Sequence, residues 1–157
     1  MIQHQDTIPS TIVPSAIGSS AIVIEDDPAL ALIFAEILQE VGCNPQTIND
    51  GNAALQLLTG MTTPPNIILL DLNLPNVSGE QILRSIRENE LLKETLVILT
   101  TANSRAASYL HNEADYVLLK PVSYTELSTL LNRLCSAHDG ILVKDTDSLP
   151  FSPPTEG

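Results

Sequence analysis

Apolar residues in this chain fall into two patterns that alternate along its length. Ala21-Ile22-Val23-Ile24, Ile67-Ile68-Leu69-Leu70 and Leu96-Val97-Ile98-Leu99 are continuous apolar runs. Short runs of this kind predict strands buried on both faces. Cys43 to Ile48 predicts an edge strand, because Pro45 has no N–H to give to a ladder. Asp115 to Leu119 predicts a fifth strand. Between these runs the spacing is helical. A helix is predicted from Pro28 to about Glu40, with Leu30, Ile33, Phe34, Ile37, Leu38 and Val41 as its buried stripe. Asp27 is placed to cap it, Pro28 suits its first turn, and Gly42 suits its end. Ala31, Leu32 and Ala35 fall outside the stripe, so the outer face has little polar surface and meets either a partner or the leader ahead of it.

Four more helices follow from the same reasoning. Ala53 to Leu58 comes after the turn Asn49-Asp50-Gly51. Gly79 to Asn89 turns Ile82, Leu83 and Ile86 inward and leaves Arg84, Arg87 and Glu88 in water. Ser104 to Asn112 gives a short helical piece. Ser123 to Ala137 has Leu127, Leu130, Leu131 and Leu134 as its stripe, with Ser123 and Glu126 spaced as a capping box. Strands alternating with helices imply an α/β fold: a doubly wound five-stranded parallel sheet with helices on both faces and right-handed crossovers. The 157 residues suit one domain. Residues 1–19 are read as a flexible leader, 20–138 as the folded unit, and 139–157 as a disordered tail.

The strand ends change the picture from fold to chemistry. In an open parallel sheet, ligand-site residues sit at the carboxyl ends of the strands. The first strand ends in Glu25-Asp26-Asp27, the third in Asp71, the fourth in Thr101 and the fifth in Lys120. Read alone, Asp71 could merely cap the turn that Leu74-Pro75-Asn76 begins, with Gly79 supplying a backbone conformation that other residues resist. Four strand ends bringing carboxylates, a hydroxyl and a lysine to one edge argue for a site.

Charge narrows the options. The net charge is −12, and the first basic residue is Arg84. An acidic surface disfavours non-specific binding to nucleic acid or to an anionic membrane. Acidic groups in the first half must find counter-charge in the second half, in a metal ion, or in water. Cys43 and Cys135 are two isolated thiols, which suits a reducing compartment. The N-terminus lacks the positive region of a signal peptide, and no apolar run is long enough to span a bilayer. A cytoplasmic protein is expected. His4, His111 and His138 are scattered and form no metal constellation.

These pieces together resemble the receiver domain of two-component response regulators. The resemblance spans about residues 20–138 and rests on Val23-Ile24-Glu25-Asp26-Asp27-Pro28, on Leu70-Asp71-Leu72-Asn73-Leu74-Pro75 with Gly79, on Leu99-Thr100-Thr101-Ala102, and on Leu118-Leu119-Lys120-Pro121. It implies a flavodoxin-like sheet of order 2-1-3-4-5. It implies Asp71 as phosphoacceptor, taking a phosphoryl group from a histidine kinase or a histidine phosphotransfer protein. It implies Mg²⁺ held by Asp26, by Glu25 directly or through water, by Asp71, and by the backbone carbonyl of Asn73. Thr101 would bond a phosphoryl oxygen, Ala102 would leave room for the donor, and a cis Lys120–Pro121 bond would aim Lys120 into the site. Such a domain catalyses its own aspartyl phosphorylation and dephosphorylation and turns over no separate substrate. The acidic triplet by itself leaves the ligand register open by one residue.

The chain departs from the family pattern in three places. The segment between Thr101 and Lys120 is about one helical turn short, which predicts a truncated fourth helix. Val117 stands where a switch aromatic is usual, with Tyr116 beside it. Val122 replaces the usual aromatic after Lys120-Pro121. These departures motivate an alternative reading, a pseudo-receiver that binds proteins without being phosphorylated. Two other Asp- and flavodoxin-based readings fit poorly. A haloacid-dehalogenase-type phosphatase needs a general acid where Asn73 stands, and three carboxylates after the first strand would repel a flavin phosphate.

Overall fold

The computed structural model describes residues 19–135. The expected tail, 139–157, and all of the expected leader except Ser19 lie outside the described residues. The chain runs β1 (Ser20–Ile24), α1 (Pro28–Glu40), β2 (Asn44–Ile48), α2 (Gly51–Gly60), β3 (Ile67–Asp71), α3 (Gly79–Glu88), β4 (Leu96–Thr101), α4 (Ser104–Leu110), β5 (Tyr116–Leu119) and α5 (Tyr124–Cys135). The strands form one parallel sheet of order β2-β1-β3-β4-β5. This is the doubly wound α/β arrangement expected from the alternating pattern. At seven residues α4 is the shortest helix, and the expected truncation is borne out.

Both faces of the sheet are covered, so each central strand feeds two cores. Ile22, Ile24, Ile68, Leu70, Val97 and Leu99 point toward α2, α3 and α4, where Leu58, Ile82, Leu83, Ile86 and Leu110 meet them. Val23, Ile67, Leu69 and Ile98 point the other way, toward Phe34, Ile37 and Leu38 of α1 and Leu127, Leu131 and Leu134 of α5. Continuous apolar runs are what such two-sided burial requires. The caps are as local as the sequence suggested. Asp27 accepts from the N–H groups of Ala29 and Leu30. Asp50 caps α2, and Ser78 with Gln81 closes a reciprocal capping box on α3.

Three expectations need correcting. The buried stripe of α1 is Ala31, Phe34, Ala35, Ile37 and Leu38, while Ile33 is 49% exposed and Leu32 59%. The two alanines let the helix sit close on the sheet, which turns Ile33 outward. The left-handed backbone in the β3–α3 loop belongs to Asn76 (φ 69°), not to Gly79. Arg87 does not lie on a solvated face. Its guanidinium donates to the carbonyls of Glu113, Lys93 and Thr95 at 2.8, 3.0 and 2.8 Å and pairs with Asp115 at 2.9 Å. Asp115 also accepts from Val97 N–H at 2.8 Å. Arg87 therefore ties the end of α3 to the starts of β4 and β5, at the amino-terminal edge of the sheet.

Candidate functional site

At the opposite edge the strand ends converge. Glu25 follows β1 directly, and its N–H bonds the Ile48 carbonyl, so its side chain starts from a fixed backbone. Glu25 and Asp71 are almost completely buried, at 1% and 2% exposure. Lys120 Nζ reaches both, 3.0 Å from Glu25 Oε2 and 3.2 Å from Asp71 Oδ1. The Lys120–Pro121 peptide is cis, as the resemblance implied, and Lys120 N–H bonds the Thr101 carbonyl at 2.8 Å. Side chain and backbone of Lys120 thus join β5 to β1, β3 and β4.

Asp71 is held on one side only. Oδ1 accepts from Asn73 N–H at 3.1 Å and contacts Lys120, whereas Oδ2 makes neither contact. Burial raises the pKa of Asp71, against the opposing effects of the Asn73 N–H and Lys120. Burial also pushes Glu25 up to about 7, with Lys120 and the Asp27 N–H opposing it. For Lys120, burial alone would lower the pKa; its bond to Glu25 and the fields of Asp71 and Glu25 outweigh burial, and the pKa is raised.

Carboxylate oxygens of Glu25, Asp26 and Asp71 lie within 4.8 Å of one another. Asp27, the third acid of the triplet, is committed to the α1 cap. Glu25 and Asp26 thus group with Asp71, and Asp27 does not. When all three are ionised, the carboxylates against one ammonium leave a local excess of two negative charges. Oxygen donors with that excess fit a small divalent cation such as Mg²⁺.

Thr101 is fully buried, and its Oγ1 accepts from Asn103 N–H at 3.0 Å. Ala102 beside it is exposed. Thr100, paired with Asp71 in the ladder, holds the one buried side-chain oxygen without a partner among the described residues. Gly79 packs against the Asp71 backbone, a contact that sequence reasoning did not anticipate. Val117 packs on the α4 side of the sheet and Tyr116 on the α1–α5 side, so the tyrosine does not occupy the usual aromatic position.

The model of the response regulator receiver domain matches residues 21–132. The chain belongs to that family. The match spans both departures, Val117 and the short α4. The chain is 31% identical over 125 residues to the probable methanogenesis regulatory protein FilR2 of Methanothrix harundinacea, covering 72% of this chain and 79% of that protein. It is 31% identical over 113 residues to protein PilG of Pseudomonas aeruginosa, covering 70% and 82%. Among solved structures it is similar to the receiver domain of the sensor histidine kinase PA1611 of P. aeruginosa, at 26% identity and a TM-score of 0.65, covering 74% of this chain and 96% of that one. That structure holds a magnesium ion in its active-site cleft. No helix among the described residues is long and apolar enough to cross a membrane.

Proposed function

We propose that this receiver domain is a working phosphoswitch that accepts a phosphoryl group on Asp71. The observation that supports this best is the asymmetry of the Asp71 carboxylate. Lys120 and the Asn73 N–H hold Oδ1 and leave Oδ2 to attack. The donor is a phosphohistidine of a histidine kinase or of a histidine phosphotransfer protein. Attack forms the O–P bond of an aspartyl phosphate and breaks the P–N bond, and the imidazole leaves. Glu25, Asp26, Asp71 and the Asn73 carbonyl would hold Mg²⁺, which would supply positive charge to offset the repulsion between two anions. Lys120 supplies further positive charge from the other side. Thr101, which accepts from the Asn103 N–H, donates its hydroxyl proton to a phosphoryl oxygen, and exposed Ala102 leaves the approach open.

The output proposed is protein contact or onward phosphotransfer. Leu119, Tyr109 and Tyr124 are exposed large side chains that such contacts could use. The net charge of −12 speaks against nucleic acid as a partner. Two free thiols fit a reducing cytoplasm. The pseudo-receiver remains the second reading, favoured by Val117 in place of an aromatic. The test is incubation with Mg²⁺ and acetyl phosphate. Expected is one base-labile phosphoryl group on the parent and none on Asp71→Asn; equal labelling of the two proteins, or of neither, overturns the proposal.

A further inference from the structure

Cys43 and Cys135 are 92 positions apart in sequence, yet their sulfurs lie 3.7 Å apart. Cys43 stands just before β2, and Cys135 ends α5. Both sit at the amino-terminal edge of the sheet, away from Asp71. Cys43 is buried in the core between the sheet, α1 and α5, and Cys135 packs half-buried against the same core. A disulfide needs its sulfurs roughly 2 Å apart, and the present gap of 3.7 Å is a van der Waals contact between the two sulfurs.

We propose that Cys43 and Cys135 are a peroxide-responsive thiol pair that closes to an intramolecular disulfide. Cys135 is the attacking sulfur, since it is the more exposed of the two. The hydrogen bond from the Cys43 thiol lowers Cys135 to about 7 and pushes Cys43 well up. The Cys135 thiolate attacks a peroxide oxygen and the O–O bond breaks. Cys135 becomes a sulfenic acid, and hydroxide, or the alkoxide of an organic peroxide, leaves and takes up a proton. The Cys43 sulfur then attacks the Cys135 sulfur, the S–O bond breaks, and hydroxide departs with the Cys43 proton as water. Two thiols are oxidised by two electrons and one peroxide is reduced. The bridge fastens the end of α5 to the edge of the sheet, and small thiols reverse it.

This inference does not depend on phosphorylation of Asp71. The full chain is treated with hydrogen peroxide, its remaining thiols are alkylated, and the intact mass is read without reductant. Expected is loss of two hydrogens, no alkylation, and a monomer whose tryptic peptides 1–84 and 134–144 are joined until dithiothreitol is added. Cys43→Ser is expected to accumulate a dimedone-trappable sulfenic acid on Cys135. Two alkylatable thiols after treatment, a bridge between chains rather than within one, or sulfinic acid on Cys135 with Cys43 still free would overturn the proposal.

Discussion

A Cβ on Gly79 would lie 2.2 Å from the carbonyl oxygen of Asp71 and 2.6 Å from the Cα of Leu72. The contact is backbone against backbone, and Gly79 N–H bonds the Leu72 carbonyl at 2.9 Å. The start of α3 is therefore pressed onto the peptide that presents Asp71. Gly79→Ala must push α3 away from that peptide. We expect a loss of about 3 kcal/mol in urea unfolding, at the upper end for overpacking. Gly60→Ala is the control, because a Cβ there meets nothing within 4 Å. Equal stability of Gly79→Ala and the parent would show that the contact is not tight.

Removing the ammonium beside Glu25 and Asp71 tests the electrostatics of the site. Lys120→Met leaves two buried carboxylates without their cation. Breaking such a pair costs about 3 kcal/mol. The loss should be largest in EDTA near neutral pH and smaller with Mg²⁺, which replaces part of the missing charge. Unfolding curves with and without the metal separate the two cases. An identical loss in both would mean that Lys120 matters only for packing.

Mg²⁺ should stabilise the parent by mass action, about 2.7 kcal/mol at a hundredfold excess over Kd. Asp26→Asn is expected to remove most of that gain, whereas Asp27→Asn keeps it, since Asn also caps helices well. Melting temperature against Mg²⁺ concentration reads this directly. If Asp27→Asn lost the response and Asp26→Asn kept it, the ligand assignment would be wrong by one residue.

The two arginines of α3 should behave oppositely. Arg84 makes one exposed contact, to Glu80 at 3.8 Å, and Arg84→Ala should change stability by less than about 0.5 kcal/mol. Arg87→Ala strips three carbonyls and Asp115 of a shared donor. We expect a loss of about 2 kcal/mol with phosphorylation still possible. Chemical denaturation of the two variants side by side decides it.

The sequence was most informative where one residue's neighbours along the chain decide its environment. Asp71 was legible because four aliphatic residues precede it, and Asp27 as a cap because Pro28 follows it. What was hidden depends on residues far apart. Glu25 needs Lys120, 95 positions away, to justify its burial. Helical spacing alone puts Arg87 in water; only the starts of β4 and β5 supply its acceptors. Aliphatic character alone points Ile33 inward, whereas the small side chains of Ala31 and Ala35 suit the close approach and are the ones buried. Cys43 and Cys135 looked isolated for the same reason.

Arg87 also has a mechanical meaning. By gripping three segments at once it turns one rim of the sheet into a foundation. The opposite rim, where Asp71 sits, has among the described residues one side chain that spans strands in this way, Lys120, beside the backbone bonds of Glu25, Leu72 and Lys120. Motion that starts at Asp71 should therefore fade toward Arg87, and a reporter on Lys93 should stay silent. One on Tyr109, whose hydroxyl bridges α4 to Glu80 of α3, should register it.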